Sequence, residues 1–249
     1  MSTRTATILA HLSTVQSLRL AETRQPGLAA RVAAIKRYQG RRFERTYADW
    51  IANPRAARAC RFFLDELYGA KDFSRRDTEF ARVVPTLTRL FPDELSATIE
   101  SLGALHALSE TLDHTMATQV PTHEVGAAEY VAAWQATGQP AQRERQIDLM
   151  LQVGGALATH TRRPMLKRML KLMRTPAAAA GLATLQSFLE EGFESFASLP
   201  DADAFLRSVH DRETQLCLRL FEVDVDRVMP GLSSSRMHDS RPDPLGQLP

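Results

Sequence analysis

The sequence predicts an all-α protein, a single multi-helix bundle of roughly nine helices followed by a disordered C-terminal tail. Three observations carry that expectation. Apolar residues return every three to four positions in almost every segment, the period of a helix with one buried face. β-branched runs are short, and no Asn-Gly or Asp-Gly hairpin turn occurs in the chain. Glycine, proline and small polar residues fall between the periodic segments, where helices need caps and stops.

Taken in order, an N-terminal helix should run to "QPG" at 25–27, and a second should end near "YQG" at 38–40. "NPRAARACRFFLDELYG" reads as a helix from Asn53 to Tyr68, with Pro54 at its first position and Gly69 just beyond its end. Ser74 and Asp77 have the spacing of a capping box and open a helix carrying Phe80, Val83, Val84 and Leu87. Pro85 is expected to kink or split that helix. Pro92, Asp93 and Glu94 stand at the positive end of a long helix reaching Val120. Thr122 with Glu124 opens a shorter one through Trp134. Helices over 141–161, 163–174, 177–197 and 202–228 complete one helical domain, 1–229. Residues 230–249 have no periodicity and read as the tail.

A chain of 249 residues with 44% apolar and 24% charged residues is an ordinary globular composition. Its net charge of +2 excludes a polyelectrolyte that seeks nucleic acid as a whole, so any basic footprint is local. Cys60 and Cys217 are the only cysteines, far apart and in no CxxC pairing, which argues against a disulfide framework and against a structural zinc site. The N-terminus has no apolar run of signal-peptide length, and no stretch reaches the ~18–20 apolar residues of a membrane span. The expected location is the cytoplasm, and no cofactor or metal is expected.

The densest apolar stretch is "FFLDELY", 62–68. On a helix, Phe62, Phe63, Leu67 and Tyr68 share one broad arc with Ala59, and Leu64 points nearly opposite. Arg61, Asp65 and Glu66 crowd into the remaining sector, which can face water. Burying the five large residues supplies on the order of ten kcal/mol of gross stabilisation, at about 2 kcal/mol each. Core packing thus accounts for this composition without chemistry. "SFLEEGFESF" at 187–196 echoes it, as two central helices with the same packing task would.

"FFLDELYG" and the "RRD" that follows it, with "TLDHTMA" and "RERQIDL" further on, resemble a family of bacterial proteins known for an FFLEELY motif. Asp65 stands where that motif has glutamate. The similarity covers most of residues 30–226, and its specific part is the seven-residue core. The resemblance implies an intact bacterial domain. It brings no activity, cofactor or catalytic residue with it.

Projection of the helices places several charges on apolar faces. His106, Ser109 and Asp113 fall among Leu95, Ile99, Leu102, Leu105, Met116 and Val120. Arg143 lies with Ile147, Met150, Leu151 and Gly154; Arg212 and Glu213 lie among Phe205, Val209, Leu216 and Leu220; Arg76 lies with Phe80 and Leu87. Buried charges need partners. A guanidinium fork from Arg143 onto Asp113 is expected, with Glu213 paired to Arg76 or Arg143. His106 is two turns from Asp113, roughly 10 Å along the axis. Either these residues form a structural polar network, or His106, Asp113, Arg143 and Glu213 line a pocket for a small polar or anionic ligand.

His106, Glu110 and His114 recur at four-residue spacing, but helical di-iron sites need Glu-x-x-His from two helices. "HDRE" at 210–213 reverses that order, so no metal ligands are assigned. No G-x-S-x-G, phosphate-binding loop or strand-borne G-x-G-x-x-G is present. Gly154 and Gly155, mid-helix, suit a close helix approach or a bend.

Residues 149–189 hold Arg162, Arg163, Lys167, Arg168, Lys171 and Arg174 and no acid. Met165, Leu166, Met169, Leu170, Leu172 and Met173 occupy one side of that helix; Arg163, Lys167, Lys171 and Arg174 occupy the other. Such a helix suits an acidic protein partner, with contact to an anionic membrane surface as a second use. No aromatic residue is interleaved for base stacking, which disfavours nucleic acid. The expected function is therefore non-catalytic association with a protein partner through this surface. The alternative is a small-ligand-binding protein or enzyme that uses the inward cluster.

Overall fold

The computed structural model describes residues 2–67 and 71–223, and all regular structure among them is helical. The first helix, α1 (Thr3–Arg24), starts under Ser2, whose hydroxyl accepts the Thr5 backbone N–H at 3.2 Å. Gly27, at φ +76°, turns the chain into α2 (Leu28–Thr46). That helix does not stop at "YQG". Gly40 lies inside it, and the buried set Leu28, Val32, Ile35, Gln39, Arg42, Phe43 and Thr46 keeps helical spacing to the end. One interior glycine costs about 1 kcal/mol, less than the burial of Tyr38 and Phe43 on either side returns. After the short α3 (Ala48–Ala52), Asn53 does not begin a helix: its side chain accepts the Arg55 N–H in a turn. The next helix, α4 (Ala57–Phe62), continues into a π-helical turn, Phe63–Leu67.

Asp72, rather than Ser74, caps α5 (Ser74–Leu90): its carboxylate accepts both the Ser74 N–H and the Ser74 hydroxyl. Pro85 sits on the exposed side of α5 and leaves it unsplit. The freed carbonyl one turn back can then be satisfied by water. A long α6 (Asp93–Gln119) follows. Thr122 and Glu124 make a turn instead of a helix start; α7 (Ala127–Thr137) begins after Gly126, whose N–H is taken by the Glu129 side chain. Then come α8 (Pro140–Thr161), α9 (Pro164–Ala179), α10 (Ala183–Ala197) and α11 (Ala202–Glu222). Pro176 lies in the last turn of α9, which runs on to Ala179, past the expected end at 174 and into the segment expected to open the next helix at 177. Gly181, at φ +68°, ends α9, with the Leu182 N–H on the Ala177 carbonyl and the Gly181 N–H on that of Ala178. The described residues thus form eleven α-helices, more than the roughly nine expected, α3 being one that turn residues do not announce. Tyr68, Gly69, the expected end of the last helix and the 230–249 tail lie outside the described residues.

The middle of the structure is α6, packed against α1, α2, α7 and α8. Phe63 is the hub of one apolar cluster, with ring centroids of Phe43, Phe196 and Phe205 within 6.3 Å. Phe62 stacks toward Phe188 at 5.6 Å. The two echoing segments are thus partners: the helix of "FFLDELY" packs on α10, and each fills the other's face. A Cβ at Gly192 would lie 2.9 Å from the Phe62 ring, so glycine there admits the phenylalanine. Gly154 does the same for α11, since a Cβ would fall 2.5 Å from a Leu206 methyl. A second cluster gathers Tyr38, Met116, Tyr130, Trp134, Leu216 and Leu220.

Candidate functional site

The charges on α6 point inward at successive turns, and each meets a different helix. His106 Nε2 lies 2.9 Å from Asp77 on α5. Arg19 of α1 reaches the same carboxylate at 2.8 Å. Burial pushes the Asp77 carboxyl up, but the His106 hydrogen bond and the charges of His106, Arg19 and Arg76 more than reverse it, leaving it below the usual range. Arg76 is held between the rings of Phe73 and Phe188, 4.1 and 4.5 Å from their centroids, and reaches Glu66 in the π-helical turn. One turn on, Glu110 takes Lys36 at 2.6 Å; a further turn on, His114 takes Glu22 at 3.0 Å. The His106–Glu110–His114 line is therefore divided among three partners. Among the described residues no group of three His, Cys, Asp or Glu side chains is placed to hold a metal.

Asp113 accepts a 2.9 Å hydrogen bond from the Gln39 amide of α2, in place of the expected fork from Arg143. Burial pushes its carboxyl above the usual range, against the pull of Lys36, Gln39 and Arg143. The Arg143 guanidinium lies over the Trp134 ring at 3.9 Å, with Gln146 Oε1 at 3.4 Å and Met116 Sδ at 3.7 Å. The two groups act on each other through space, and each has a closer neighbour of its own. Glu213 pairs with neither Arg76 nor Arg143. It takes Arg42 from α2, and the Tyr47 hydroxyl donates to the same oxygen at 2.9 Å. Arg212 turns outward to Asp49 at 2.7 Å.

Between α2, α7, α8 and α11 these side chains enclose a cavity of about 40 Å³, lined by Gln39, Arg42, Tyr130, Trp134, Arg143 and Glu213 among others. Of the four residues offered as the lining of a ligand pocket, Arg143 and Glu213 are on its wall. Asp113 sits behind Gln39, and His106 belongs to the Asp77 cluster. Gln39, Arg42 and Tyr47 are the residues the sequence reading passed over. Their signal was the unbroken spacing of buried positions across Gly40. Neither thiol is activated: burial raises Cys60 to about 11, and burial also raises Cys217.

Asp77 and Asp113 depart from the usual carboxylate range in opposite directions, and the pH dependence follows. Asp77 stabilises the fold above its unfolded pKa of about 3.9, and that contribution is lost as pH falls through its lower folded value. Asp113 binds its proton more readily when folded. Its contribution is present below the unfolded pKa and is lost as pH rises through the higher folded value. In urea titrations at a series of pH values, Asp77→Asn should therefore differ most from wild type near neutral pH and converge on it in acid. Asp113→Asn should show the reverse trend, with wild type gaining on the variant as pH falls from neutral toward about 4. Parallel curves for both variants would contradict these directions.

On the far side, α9 docks on α10 and the end of α8. Arg174 pairs with Glu190 at 2.6 Å, Gln186 donates to the Leu170 carbonyl, and Arg163 reaches Glu94 at 3.0 Å. Docking covers only part of the apolar face. Leu166, Met169 and Leu170 are half-buried, but Met165 is 73% exposed, Leu172 77% and Met173 47%. Lys167, Arg168 and Lys171 make no ion pair within 4 Å among the described residues. The outer side of α9 is thus an apolar strip with a basic border.

A protein-family profile described as a domain of unknown function, DUF8198, matches residues 18–227. The chain belongs to the DUF8198 family. That match takes in the end of α1 and every helix from α2 to α11, so the cavity and the α9 face both lie within the DUF8198 domain. No curated protein and no solved structure matches the chain. No helix among the described residues is long and apolar enough to cross a membrane.

Proposed function

We propose that this DUF8198 protein works by protein association, and that α9 receives an acidic amphipathic helix of a partner protein. The observation behind this is the exposure of Met165 and Leu172, one heptad apart on one side of α9, beside Lys167, Arg168 and Lys171. Burying two such side chains is worth about 1.5–3 kcal/mol each, enough to anchor a helix laid along the strip. Methionine adapts to varied apolar surfaces. The charge chooses the partner. With four bases and no acid in α9, a second copy of α9 would set cation against cation. A helix with glutamates flanking a leucine stripe complements it. The FFLEELY resemblance supports a bacterial setting, and two reduced thiols suit a cytoplasmic one.

Displayed acidic amphipathic helices, selected on the immobilised protein, test this reading. Leu172→Glu and the pair Lys167→Glu/Lys171→Glu change exposed positions, so both should leave thermal unfolding nearly unchanged. Each should weaken the selected peptides at least tenfold. Peptide binding indifferent to both variants would refute the proposal, as would sedimentation with phosphatidylglycerol vesicles in the absence of any peptide binding.

A further inference from the structure

We propose that His160 is an acid-operated latch: while neutral it ties the joint between α8 and α9 to α6, and on gaining a proton it frees the start of α9. Its effect on partner binding rests on the association proposed above; its effect on the joint does not. His160 is the penultimate residue of α8 and is 7% exposed. Its Nε2 lies 3.1 Å from Thr98 Oγ1 in α6. The Thr98 hydroxyl donates its one proton to the Glu94 carbonyl at 3.0 Å, so toward the ring it can only accept. Nε2 therefore carries the hydrogen. Nδ1 is a bare lone pair, buried and without a donor among the described residues.

A second proton has no place in that arrangement. It would sit on Nδ1, where it meets no acceptor, and it would add a buried charge near the Arg163 guanidinium. The charged groups that bear on the ring are Arg163, at the start of α9, and Glu94, from α6. The other helices packed on α8, α10 and α11, bring none among the described residues. Burial and the Arg163 charge outweigh the Glu94 carboxylate and hold the His160 pKa below its usual value. The unfolded chain takes this proton near pH ~6.5, more readily than the folded protein does. The latch is fully stabilising above that pH, and its contribution is lost as pH falls from there through the lower folded value.

The other ties on α9 and α10 do not respond in this way. At the far end of α9, Arg82 of α5 donates to the Ala180 and Gly181 carbonyls at 2.7 and 2.9 Å, and arginine keeps its charge. Glu79, also of α5, accepts the Leu185 N–H at the start of α10 at 2.8 Å. Burial raises the Glu79 carboxyl, but the Leu185 N–H, Thr184 and Arg75 more than reverse it. The Arg174 hydrogen bond holds Glu190 below the usual range against its burial. His106 and His114 face Asp77 and Glu22, so a proton on either adds an ion pair. The Arg163–Glu94 pair is exposed and carries little weight by itself. Acid should therefore loosen α9 at its start and leave its end in place.

Amide hydrogen exchange on the intact protein, corrected for the intrinsic effect of pH, reads the latch without any partner. From about pH 7.5 to about pH 5.5, exchange over residues 160–170 should quicken about tenfold, while exchange over 175–185 should not change. His160→Gln keeps an N–H for Thr98 and cannot take the proton, so it should abolish the acid response and leave exchange at neutral pH near wild type. Thr98→Val removes the acceptor and should quicken exchange over 160–170 already at neutral pH. Peptides selected on α9 should lose affinity over the same pH range more steeply with wild type than with His160→Gln, by about tenfold. If no peptide binds α9, the association fails and the exchange comparison still decides the latch. Exchange at the start of α9 unaltered by acid, or quickened equally in His160→Gln, would overturn it.

Discussion

Glu213→Gln is expected to lower the unfolding free energy by about 3–5 kcal/mol, the usual consequence of leaving one partner of a buried ion pair uncompensated. Arg42 is 4% exposed and Glu213 is 8% exposed, so neither can turn to water without disturbing the packing of α2 on α11. Glutamine keeps the shape and still accepts from Tyr47, so the loss reads the Arg42–Glu213 charge interaction rather than a cavity. The double variant Arg42→Met/Glu213→Leu removes both charges at similar volume. It should recover most of the loss, to within about 2 kcal/mol of wild type, since apolar replacements of whole buried pairs are often neutral or better. Urea unfolding of the wild type, Arg42→Met, Glu213→Leu and the double variant closes the cycle. A Glu213→Gln loss below about 1 kcal/mol would mean that the pair behaves as a solvated surface pair.

The same pair explains what was legible in the sequence and what was not. Helical class, the inward direction of Asp113, Arg143 and Glu213, and the two-sided character of α9 all follow from spacing alone, because burial in a helix has a period. Partner identity does not. A helix that ends near Gly40 leaves Arg42 and Tyr47 outside its buried face, whereas α2 runs on to Thr46 and carries Arg42 inward. The arginines that spacing offers to Glu213, Arg76 and Arg143, lie on α5 and α8, and the one that pairs with it, Arg42, lies on α2. A glycine reports a local backbone preference of about 1 kcal/mol, while Tyr38, Phe43 and Tyr47, all essentially fully buried, decide the matter through tertiary packing. Asp113 and Arg143 were matched by charge, yet Arg143 found an aromatic face and Asp113 an amide. Several neutral groups can satisfy a buried charge, and sequence carries no record of which lies closest. The exposure of Met165 and Leu172 was hidden for a related reason: an amphipathic pattern gives the direction of an apolar face but not how much of it a neighbour covers.

Phe63→Ala should cost about 3–5 kcal/mol, the range for removing a buried phenylalanine ring with partial collapse of the space it leaves. Its neighbours Phe43, Phe62, Phe196 and Phe205 come from α2, α4, α10 and α11, so one truncation loosens four helices that sequence separates widely. Phe63→Leu retains most of the volume and should cost no more than about 1.5 kcal/mol. Two residues on, Asp65 is exposed and its nearest cation, Lys71, is 3.9 Å away, a surface pair of little energetic weight. Asp65→Ala should therefore stay within about 0.5 kcal/mol of wild type. If "FFLDELY" is scaffold, this contrast follows from burial alone, and peptide binding at α9 should be the same in Asp65→Ala as in wild type. A folded Asp65→Ala protein that no longer bound the selected peptides would instead assign the acids of the π-helical turn a direct part in recognition.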